Sequence, residues 1–380
     1  MMSMDAQNRT KERGEPMIPV YEPLLKGNER KYVDECLDSG WISSKGRFVS
    51  EFENRFAEYF GVRYATAVSN GTVALHLALV ALGIGPGDEV IVPTLTYIAS
   101  VNAIRYTGAT PVFVDSCADT WQMDPEDVRA KMTERTKAIM VVHIYGHPCN
   151  MDEIMTVAHE RGLFVVEDCA EAFGSTYRGH LVGTFGDVAA FSFYGNKTIT
   201  TGEGGMVITN DEALHERVVH YKGQGLASGR EYWHDVIGYN YRMTNICAAI
   251  GVAQLERAEQ ILAAKRQIAD WYAKALAGTR VTMLREIGDV RSSYWMCSIL
   301  VSRAEEREPL RAVLSAGGIE TRPVFYPVHT MPMYCDRNDK HPIADSIGQR
   351  GINLPSGPGL TIDQVSQITD IIRHHQMCEL

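Results

Sequence analysis

The sequence predicts an α/β protein with a mostly parallel sheet, joined to a smaller C-terminal α+β domain. From residue 64, short apolar runs alternate with helical stretches about every 25 residues, as expected for parallel strands with helical crossovers. After residue 244 the pattern changes to one long helical stretch, and mixed strand and helix patterns follow it. We therefore predict a flexible lead-in at residues 1–17, a large domain at 18–250 and a small domain at 251–380.

The alternation can be followed along the large domain. Strands are predicted, in order, at YATAV, DEVIVP, TPVFVD, KAIMVVHIY and LFVVEDCA, and the helices between them at TVALHLALVAL, IASVNAIRYTG, DPEDVRAKM and MDEIMTVAHERG. Gly83 follows the first of these helices, at a position where glycine commonly ends a helix.

The smaller domain is predicted from a different pattern. The stretch TNICAAIGVAQLERAEQILAAKRQIADWYAKALAG is expected to form one largely uninterrupted helix that bridges the two domains. It is followed by the apolar run YWMCSILV, a helix near EEREPLRAVLSAGG and the segment ETRPVFYPV. Strands and helices mixed in this way indicate an α+β domain.

Charge and hydropathy exclude several classes of partner. The chain has 37 basic and 47 acidic residues, a formal charge of -10, and lacks a dense basic patch, so nucleic acid and anionic membrane are not expected partners. It has no run of the roughly eighteen apolar residues that a membrane span needs. The beginning, MMSMDAQNRTKERGEPM, lacks the apolar core of a secretory signal, and we expect a cytoplasmic protein.

The cysteines predict neither a metal site nor a disulfide framework. They are scattered without a CxxC pair or a Cys/His cluster, so no metal is expected, and a cytoplasmic chain keeps most thiols reduced. The eight are Cys36, Cys117, Cys149, Cys169, Cys247, Cys297, Cys335 and Cys378.

A turn suited to phosphate lies between the first strand and the first helix of the alternation. Ser69, Asn70, Gly71 and Thr72 occupy it. Glycine allows a close backbone turn, and the start of a helix offers free amides and the positive end of the helix dipole. The alternative is that Ser69 or Thr72 merely caps the helix, and the motif alone does not decide between the two.

Two carboxylates follow one another at the carboxyl end of a predicted strand. Glu167 and Asp168 end LFVVED, and open parallel sheets present ligand-contacting residues at that end. A carboxylate buried there needs a cationic or hydrogen-bonding partner. The alternative is a cap for the helix that AEAF would begin.

The segment FSFYGNKTIT places Lys197 directly after another predicted strand. Phe191, Phe193 and Tyr194 indicate the interior, while an isolated lysine in a turn usually points to solvent. A phosphate turn, an acid and this lysine follow one another along the chain. Pyridoxal phosphate needs all three groups: a phosphate cradle, a carboxylate for its pyridine nitrogen and a lysine for its aldehyde. Together they predict a site for this cofactor.

Other cofactor and nucleophile motifs are excluded by their context. The glycines of GIGPGDE follow a helix and precede a strand, which is the reverse of a dinucleotide-binding turn. Neither a GxSxG nucleophile elbow nor a Walker sequence occurs in the chain.

From about residue 18 to residue 360, the chain resembles the nucleotide-sugar aminotransferases of the DegT/StrS type, which are fold type I pyridoxal phosphate enzymes. The resemblance is carried by VSNGTVALHLAL, PTLTYIAS, VVEDCAEAFGS, FSFYGNKTITTGEGGMVIT and GYNYRMTNICAAIGVAQL. It implies that Lys197 bonds to the cofactor, that Asp168 pairs with the pyridine nitrogen and that Tyr97 stacks on the ring. The resemblance also implies that Glu171 occupies a position near the ring oxygen of the cofactor, where many relatives carry glutamine.

The resemblance also implies the remaining contacts and the assembly. Gly71, Thr72 and Ser192 are expected to hold the cofactor phosphate, and Asn70 beside them to contact the cofactor. Asn240 is expected to reach the phosphate in the neighbouring subunit of a homodimer or larger homo-oligomer. The segments SGWISSKG and RPVFYPVHTMPMY are expected to face the substrate, with Tyr326 and His329 as its contacts; His329 could equally be a packed histidine.

The implied reaction is a transamination in two halves. L-Glutamate gives its amino group to the cofactor, which then aminates a nucleotide-linked 4-keto-6-deoxy sugar, for which we expect GDP-4-keto-6-deoxy-D-mannose. The alternatives are another keto sugar, a deoxysugar dehydratase on the same fold, or an idle binding protein that keeps the cofactor. Dehydratases of this type carry histidine where Lys197 stands, and some add an iron-sulfur cluster, so the lysine and the scattered cysteines argue against them.

Overall fold

A central seven-stranded sheet organises the larger part of the molecule, as seen in a computed structural model that describes residues 17–335 and 339–377. The predicted lead-in lies outside the described residues, apart from Met17. The strands are β1 (Tyr64–Val68), β2 (Glu89–Pro93), β3 (Thr110–Val114), β4 (Thr136–Val142), β5 (Phe164–Asp168), β6 (Thr176–Tyr177), β7 (His180–Leu181), β8 (Val188–Ser192), β9 (Gly205–Thr209), β10 (Thr282–Met283), β11 (Val290–Arg291), β12 (Cys297–Leu300), β13 (Arg322–Pro323) and β14 (Gly351–Leu354).

Helices connect and cover these strands. They are α1 (Glu29–Ser39), α2 (Arg47–Phe60), α3 (Gly71–Ala81), α4 (Ile98–Tyr106), α5 (Pro125–Lys131), α6 (Met151–Arg161), α7 (Glu212–Lys222), α8 (Asn245–Leu255), α9 (Ala258–Ala275), α10 (Arg307–Ala316), α11 (Pro342–Arg350) and α12 (Ile362–Met377). Short 3-10 turns occur at Ile144–Gly146, Ala304–Glu306 and Val328–Thr330.

The large sheet is mostly parallel, which confirms the predicted α/β class. Its strand order is β1-β9-β8-β5-β4-β2-β3. Strands β8, β5, β4, β2 and β3 run parallel, whereas β9 is antiparallel to both of its neighbours. Because β5 and β8 are adjacent and parallel, Asp168 and Ser192 come to the same edge of the sheet. This is the edge at which parallel sheets bind ligands.

Helices lie on both faces of the sheet, and this explains why the strands are apolar throughout. Along β2, Val90 and Val92 pack into one core with residues of α3 and α4, while Ile91 between them packs into another core with residues of α2 and α8. Successive side chains of a strand point to opposite faces, so a strand covered on both sides needs an apolar residue at every position.

A cluster of phenylalanines joins α2 to the strand that leads to Lys197. Phe52, Phe56 and Phe60 are four residues apart and therefore share one face of the helix, where all three are buried. The ring of Phe56 lies 5.1 Å from that of Phe191 and 5.6 Å from that of Phe193. Phe191 and Phe193 are thus in the interior as predicted.

Tyr194 differs from the prediction that it is interior, because its side chain is 52% exposed. Side chains alternate through this segment: Phe191 and Phe193 point into the core, whereas Ser192 and Tyr194 line a cavity on the opposite side. Because Phe193 points into the core, the next side chain, Tyr194, points to the cavity.

The predicted continuous helix after residue 244 is two helices, α8 and α9. The break falls at Glu256 and Arg257. The carboxylate of Glu256 accepts hydrogen bonds from Tyr32 (2.7 Å), Asn28 (2.8 Å) and Arg55 (3.2 Å), which belong to the first helical segments of the chain. The turn thus coincides with a contact between parts of the chain that are far apart in sequence.

A second, four-stranded sheet has the order β10-β12-β14-β13 and packs with α9, α10 and α12 around its own core. Ile18, near the start of the described chain, pairs with Ile319 and belongs to this second core. The predicted boundary at residue 250 falls within α8, and its position stays a prediction.

The sequence predicted neither a membrane span nor a disulfide framework. In the part of the chain that the structure describes, no helix combines the length and hydrophobicity of a membrane span. Each cysteine there is a free thiol, and Cys378 lies outside the described residues.

The Phe56 cluster should dominate the stability of the large sheet. We expect Phe56→Ala to lower the free energy of unfolding by about 3–5 kcal/mol, because it removes a fully buried ring from among five aromatic neighbours. Phe164→Ala, at a ring that is 40% exposed, is the matched control and should cost much less. Urea denaturation of both variants measures the difference, and equal losses would contradict the role of the cluster.

Candidate active site

A cavity of about 740 Å³ opens at the carboxyl ends of β5 and β8. Its walls come from the large sheet, including Asp168 and Ser192, and from the second sheet and its approach, including Trp295 and Asn353. The active-site candidate is therefore a cleft between the two sheets, at the sheet edge where ligands are expected.

Lys197 lies on this cavity with only 12% of its side chain exposed. Its amine stands 3.7 Å from Glu171 Oε1 and 4.0 Å from the centre of the Trp295 ring. Burial lowers the pKa of the amine, and the carboxylates of Glu171 and Asp168 oppose that shift. The result is a lysine held inside the protein, in a site that favours the neutral amine more than water does.

The backbone around Lys197 is fixed by side chains from distant parts of the chain. The hydroxyl of Tyr21 donates to the carbonyl of Lys197 at 2.7 Å, and Trp295 Nε1 donates to the carbonyl of Asn196 at 2.7 Å. The amide of Lys197 itself donates to the carbonyl of Tyr194, closing a turn. These three bonds determine where the lysine side chain begins.

Asp168 is buried at the end of β5 and lines the same cavity. Its Oδ2 accepts from Ser100 Oγ at 2.7 Å, and its Oδ1 accepts from the amide of Ala170 at 3.1 Å. Ser100 Oγ lies 2.9 Å from Thr96 Oγ1, so the two hydroxyls form a short chain that ends on the carboxylate. Burial raises the pKa of Asp168, while the bonds from Ser100 and Ala170 oppose the rise.

Glu167, which precedes Asp168 in β5, has a structural role. Successive strand residues point to opposite sides, and the Glu167 carboxylate accepts from the amides of Gly183 (2.7 Å), Phe185 (2.8 Å) and Gly186 (2.7 Å) and contacts His143 Nε2 (3.1 Å). His143, Glu167 and Cys169 lie close enough together to hold a metal ion. The carboxylate oxygens already have four partners, so the group anchors the 183–186 turn.

Glu171 stands beside Lys197 and is buried. Its Oε2 accepts from the amide of Tyr145 at 2.8 Å, a residue held at the positive φ of 56°. Burial raises the pKa of Glu171 to about 7, against the lowering influence of Lys197 and the Tyr145 amide. At neutral pH this position therefore lies close to the midpoint between carboxyl and carboxylate.

The predicted phosphate turn also lines the cavity. The side chain of Asn70 caps α3 by accepting from the amide of Val73 at 3.0 Å, and Gly71 and Thr72 precede that amide at the helix start. A Cβ at Gly71 would lie 2.6 Å from the Cβ of Ser192, so only glycine lets these two segments approach so closely. Backbone amides, Thr72 and Ser192 can thus surround a small anion here.

Tyr97 is placed at the mouth of the cavity. Its side chain is 56% exposed, and its ring centre lies 5.5 Å from that of Phe325, which comes from the segment after β13. Tyr97 immediately precedes α4, which carries Ser100 toward Asp168. An aromatic face is therefore available at the mouth of the cavity.

Three predicted residues lie outside the lining of this cavity. Asn240 is exposed, and its side-chain oxygen accepts from Arg242 at 2.9 and 3.1 Å. Tyr326 is 49% exposed and contacts Arg307 at 3.3 Å. His329 is buried, with Nδ1 2.7 Å from Thr94 Oγ1 and Nε2 3.3 Å from Asp345. Within this chain, His329 thus supports the segment that leads to Tyr97.

Several residues of the site were not found from the sequence. Ser100 lies in the quoted segment PTLTYIAS, but nothing in its spacing indicates that it reaches Asp168. Tyr21 and Trp295 are more than 90 residues from Lys197 and carry no motif. Arg322, which also lines the cavity, falls within the segment RPVFYPVHTMPMY, where nothing in the sequence distinguishes it from its neighbours.

The residues present suit pyridoxal phosphate. The cavity offers an amine of lowered pKa, a buried carboxylate held by hydrogen bonds, and a glycine-based turn at the start of a helix. Pyridoxal phosphate needs groups of these three kinds for its aldehyde, its pyridine nitrogen and its phosphate.

The chain is also similar to known proteins. Residues 23–373 match the DegT/DnrJ/EryC1/StrS aminotransferase family. The chain is 65% identical over 355 residues to the GDP-perosamine synthase of Escherichia coli O157:H7, covering 93% of this chain and 97% of the relative. It is 52% identical over 366 residues to the GDP-perosamine synthase of Vibrio cholerae, covering 95% and 100%.

A solved structure agrees in fold as well as in sequence. The crystal structure of S. venezuelae DesV is similar to this chain with a TM-score of 0.87 at 37% identity, covering 91% of this chain and 94% of that chain. The chain therefore belongs to the DegT/DnrJ/EryC1/StrS aminotransferase family and is a sugar aminotransferase that uses pyridoxal phosphate.

Proposed function

We propose that this enzyme transfers the amino group of L-glutamate to C4 of GDP-4-keto-6-deoxy-D-mannose and so forms GDP-perosamine. The proposal is carried by the meeting of Lys197 and Asp168 in one cavity. The choice of sugar is supported by relatives at 65% and 52% identity that are GDP-perosamine synthases over almost their whole length.

When bound, the cofactor withdraws electrons from the carbon that carries the transferred nitrogen, which makes the hydrogen on that carbon acidic. Lys197 is the base assigned to this hydrogen. Burial lowers the pKa of its amine and so favours the neutral, proton-accepting form, and Glu171 at 3.7 Å stabilises the ammonium once the proton has been taken. Lys197 Nζ can therefore accept the proton and later return it without leaving the cavity.

Asp168 is assigned to the pyridine nitrogen. A carboxylate that already accepts from Ser100 and Ala170 keeps a fixed orientation, and both bonds favour its charged form against the effect of burial. That charge favours a protonated ring nitrogen. Gly71, Thr72 and Ser192, with Asn70 ordering the helix start, are assigned to the phosphate, Tyr97 to the face of the ring and Glu171 to the neighbourhood of the ring oxygen.

The direct test is incubation of the purified, yellow enzyme with L-glutamate and a panel of GDP-, UDP- and dTDP-linked 4-keto sugars, read by mass spectrometry. We expect wild type to aminate the GDP-linked 4-keto-6-deoxymannose. We expect the amination rate of Lys197→Ala to be at least about a hundredfold lower, since the variant lacks the proton-transferring amine. Lys137→Ala, at an exposed lysine, is the control and should match wild type.

The outcomes of this panel separate the alternatives. Amination of a UDP or dTDP sugar, with none of the GDP compound, would keep the transamination and replace the acceptor. Loss of the substrate hydroxyl without gain of nitrogen would indicate a dehydratase. An enzyme whose yellow colour does not change with glutamate would be an idle binding protein.

Glu171 should make the stability of the cofactor-free protein depend on pH. Its pKa is about 7 in the folded chain and 4.5 ordinarily, so between these values the unfolded chain has released a proton that the folded chain still holds. Raising the pH through this window favours unfolding. We expect the free energy of unfolding of Glu171→Gln to increase by up to about 3 kcal/mol relative to that of wild type between pH 4.5 and pH 8.

Denaturation curves collected at several pH values measure this difference. Glu58→Gln, at an exposed carboxylate, is the control and should follow the pH dependence of wild type. If Glu171→Gln also runs parallel to wild type, the raised pKa of Glu171 is refuted.

We propose further that the active unit is at least a homodimer and that Asn240 completes the site of the partner. Within its own chain Asn240 stays outside the cavity, on a segment that exposes large apolar side chains. Those side chains are Leu226 (50%), Tyr232 (93%), Trp233 (49%) and Ile237 (89%). Apolar exposure of this extent suits an interface, and a two-fold contact would supply the segment to both sites.

The cytoplasmic location expected from the sequence remains a prediction.

Mixed dimers test this assignment. One subunit carries Lys197→Ala and the other Asn240→Trp, and each homodimer should be inactive. If sites are shared, the mixed dimer has one site with both defects and one intact site, so co-refolding should restore up to about half of the activity of a wild-type dimer. If Asn240 acts within its own chain, every site keeps one lesion and activity stays at the level of the single variants.

A further inference from the structure

A second buried lysine lies close to the active site and has no part in the proposed reaction. Lys265, on α9, is 1% exposed, whereas Lys274 on the same helix is exposed. The amine of Lys265 donates to the carbonyl of Ser356 at 2.8 Å and to the carbonyl of Trp295 at 3.1 Å. It also lies 4.9 Å from the centre of the Tyr21 ring.

These partners suit a protonated amine. An ammonium group has three hydrogens, of which two point to carbonyls, and the face of an aromatic ring attracts a cation. Burial lowers the pKa of Lys265 to about 8, so the ammonium form still predominates at neutral pH. A buried charge is costly to keep, and here two carbonyl dipoles and a ring offset that cost.

Two of the three partners of Lys265 also hold Lys197. The hydroxyl of Tyr21 donates to the carbonyl of Lys197, and Trp295 donates through Nε1 to the carbonyl of Asn196, both at 2.7 Å. The Trp295 ring in addition lies 4.0 Å from the amine of Lys197. Each link from Lys265 to Lys197 therefore passes through a single residue.

The arrangement gathers three segments that are far apart in the chain. Tyr21 belongs to the N-terminal segment, Trp295 to the approach to β12, and Ser356 to the turn after β14. Direct bonds tie the same segments together, since the amide of Ser356 donates to the carbonyl of Val20 and the amide of Cys297 donates to Ser356 Oγ. Lys265 contacts all three segments at once, through two carbonyls and the Tyr21 ring.

We propose that Lys265 is a positioning residue for Lys197: by holding the Tyr21 ring and the Trp295 carbonyl, it fixes the backbone and the aromatic surface from which the reactive amine extends. The inference rests on the proposed role of Lys197. It assigns no contact with substrate or cofactor to Lys265. Its chemical consequence is that the orientation and the pKa of Lys197 depend on a residue outside the cavity.

The test compares Lys265→Met, which keeps the length of the side chain and removes the donor, with Lys274→Met on the same helix. In the cofactor-free protein, labelling by an amine-acylating reagent over a range of pH, followed by peptide mass spectrometry, gives the pKa of Lys197 directly. We expect Lys265→Met to shift that pKa by about half a unit or more. Lys274→Met should leave it unchanged.

Steady-state kinetics of the loaded enzyme give a second reading. We expect kcat to fall about tenfold in Lys265→Met, with the KM values for both substrates within about twofold of wild type, because a misplaced amine affects proton transfer more than binding. A purely structural role would lower the melting temperature and leave kcat and the pKa of Lys197 unchanged at temperatures well below melting. That result would overturn the proposal.

Tyr21→Phe provides an independent arm, since it removes only the hydroxyl that donates to Lys197. We expect it to shift the labelling pKa of Lys197 in the same direction as Lys265→Met, and the double variant to shift it by less than the sum, because both changes act on one link. If Lys265→Met does not fold, Tyr21→Phe carries the test, and an unchanged Lys197 pKa in that variant refutes the link.

These outcomes are separate from those of the proposed function. The labelling measurement needs no turnover, so a chain that fails to aminate any sugar can still show a Lys197 pKa that depends on Lys265. Conversely, an active aminotransferase in which neither variant alters Lys197 would keep the proposed function and reject the positioning role.

Discussion

The requirement to hold an amine and two carboxylates away from bulk water governs the centre of this molecule. Lys197, Glu171 and Asp168 lie on one cavity, and the amine approaches Glu171 to 3.7 Å. Each group loses hydration on burial and must find other partners. The Tyr145 amide, the Ser100 hydroxyl and the Ala170 amide supply them to the carboxylates. Mutual attraction alone would not offset the desolvation of such a group of charges.

The sheet supplies the framework on which these partners meet. Parallel β5 and β8 end at the same edge, so their terminal residues converge although 24 residues separate Asp168 from Ser192. Because the strands are pleated, neighbouring side chains point to opposite faces of the sheet and have different roles. Asp168 turns to the cavity, whereas Glu167 turns to the 183–186 amides, and Ser192 turns to Gly71 while Phe191 enters the core.

Residues from the ends of the chain complete the site on its other side. Tyr21 and Trp295 fix the lysine backbone, and Phe325 faces Tyr97 across the cavity mouth. These residues belong to the N-terminal segment and to segments that flank strands of the second sheet, so Lys197 lies at the junction of both parts of the molecule. Two lysines are therefore buried within one network: one lines the cavity, and the other supports its wall.

The sequence by itself determined the features that depend on local order. Strand and helix alternation predicted the mostly parallel sheet because each crossover is a local pattern. The turn at Gly71, the acid at Asp168 and the lysine at Lys197 could be singled out because each lies at or shortly after the end of a strand. Only the tertiary structure decided which acid enters the cavity, that the helical stretch breaks at Glu256, and that Tyr194 is exposed. Those outcomes depend on strand register and on contacts such as Glu256 with Tyr32, which join residues more than 200 positions apart and leave no periodic trace in the sequence.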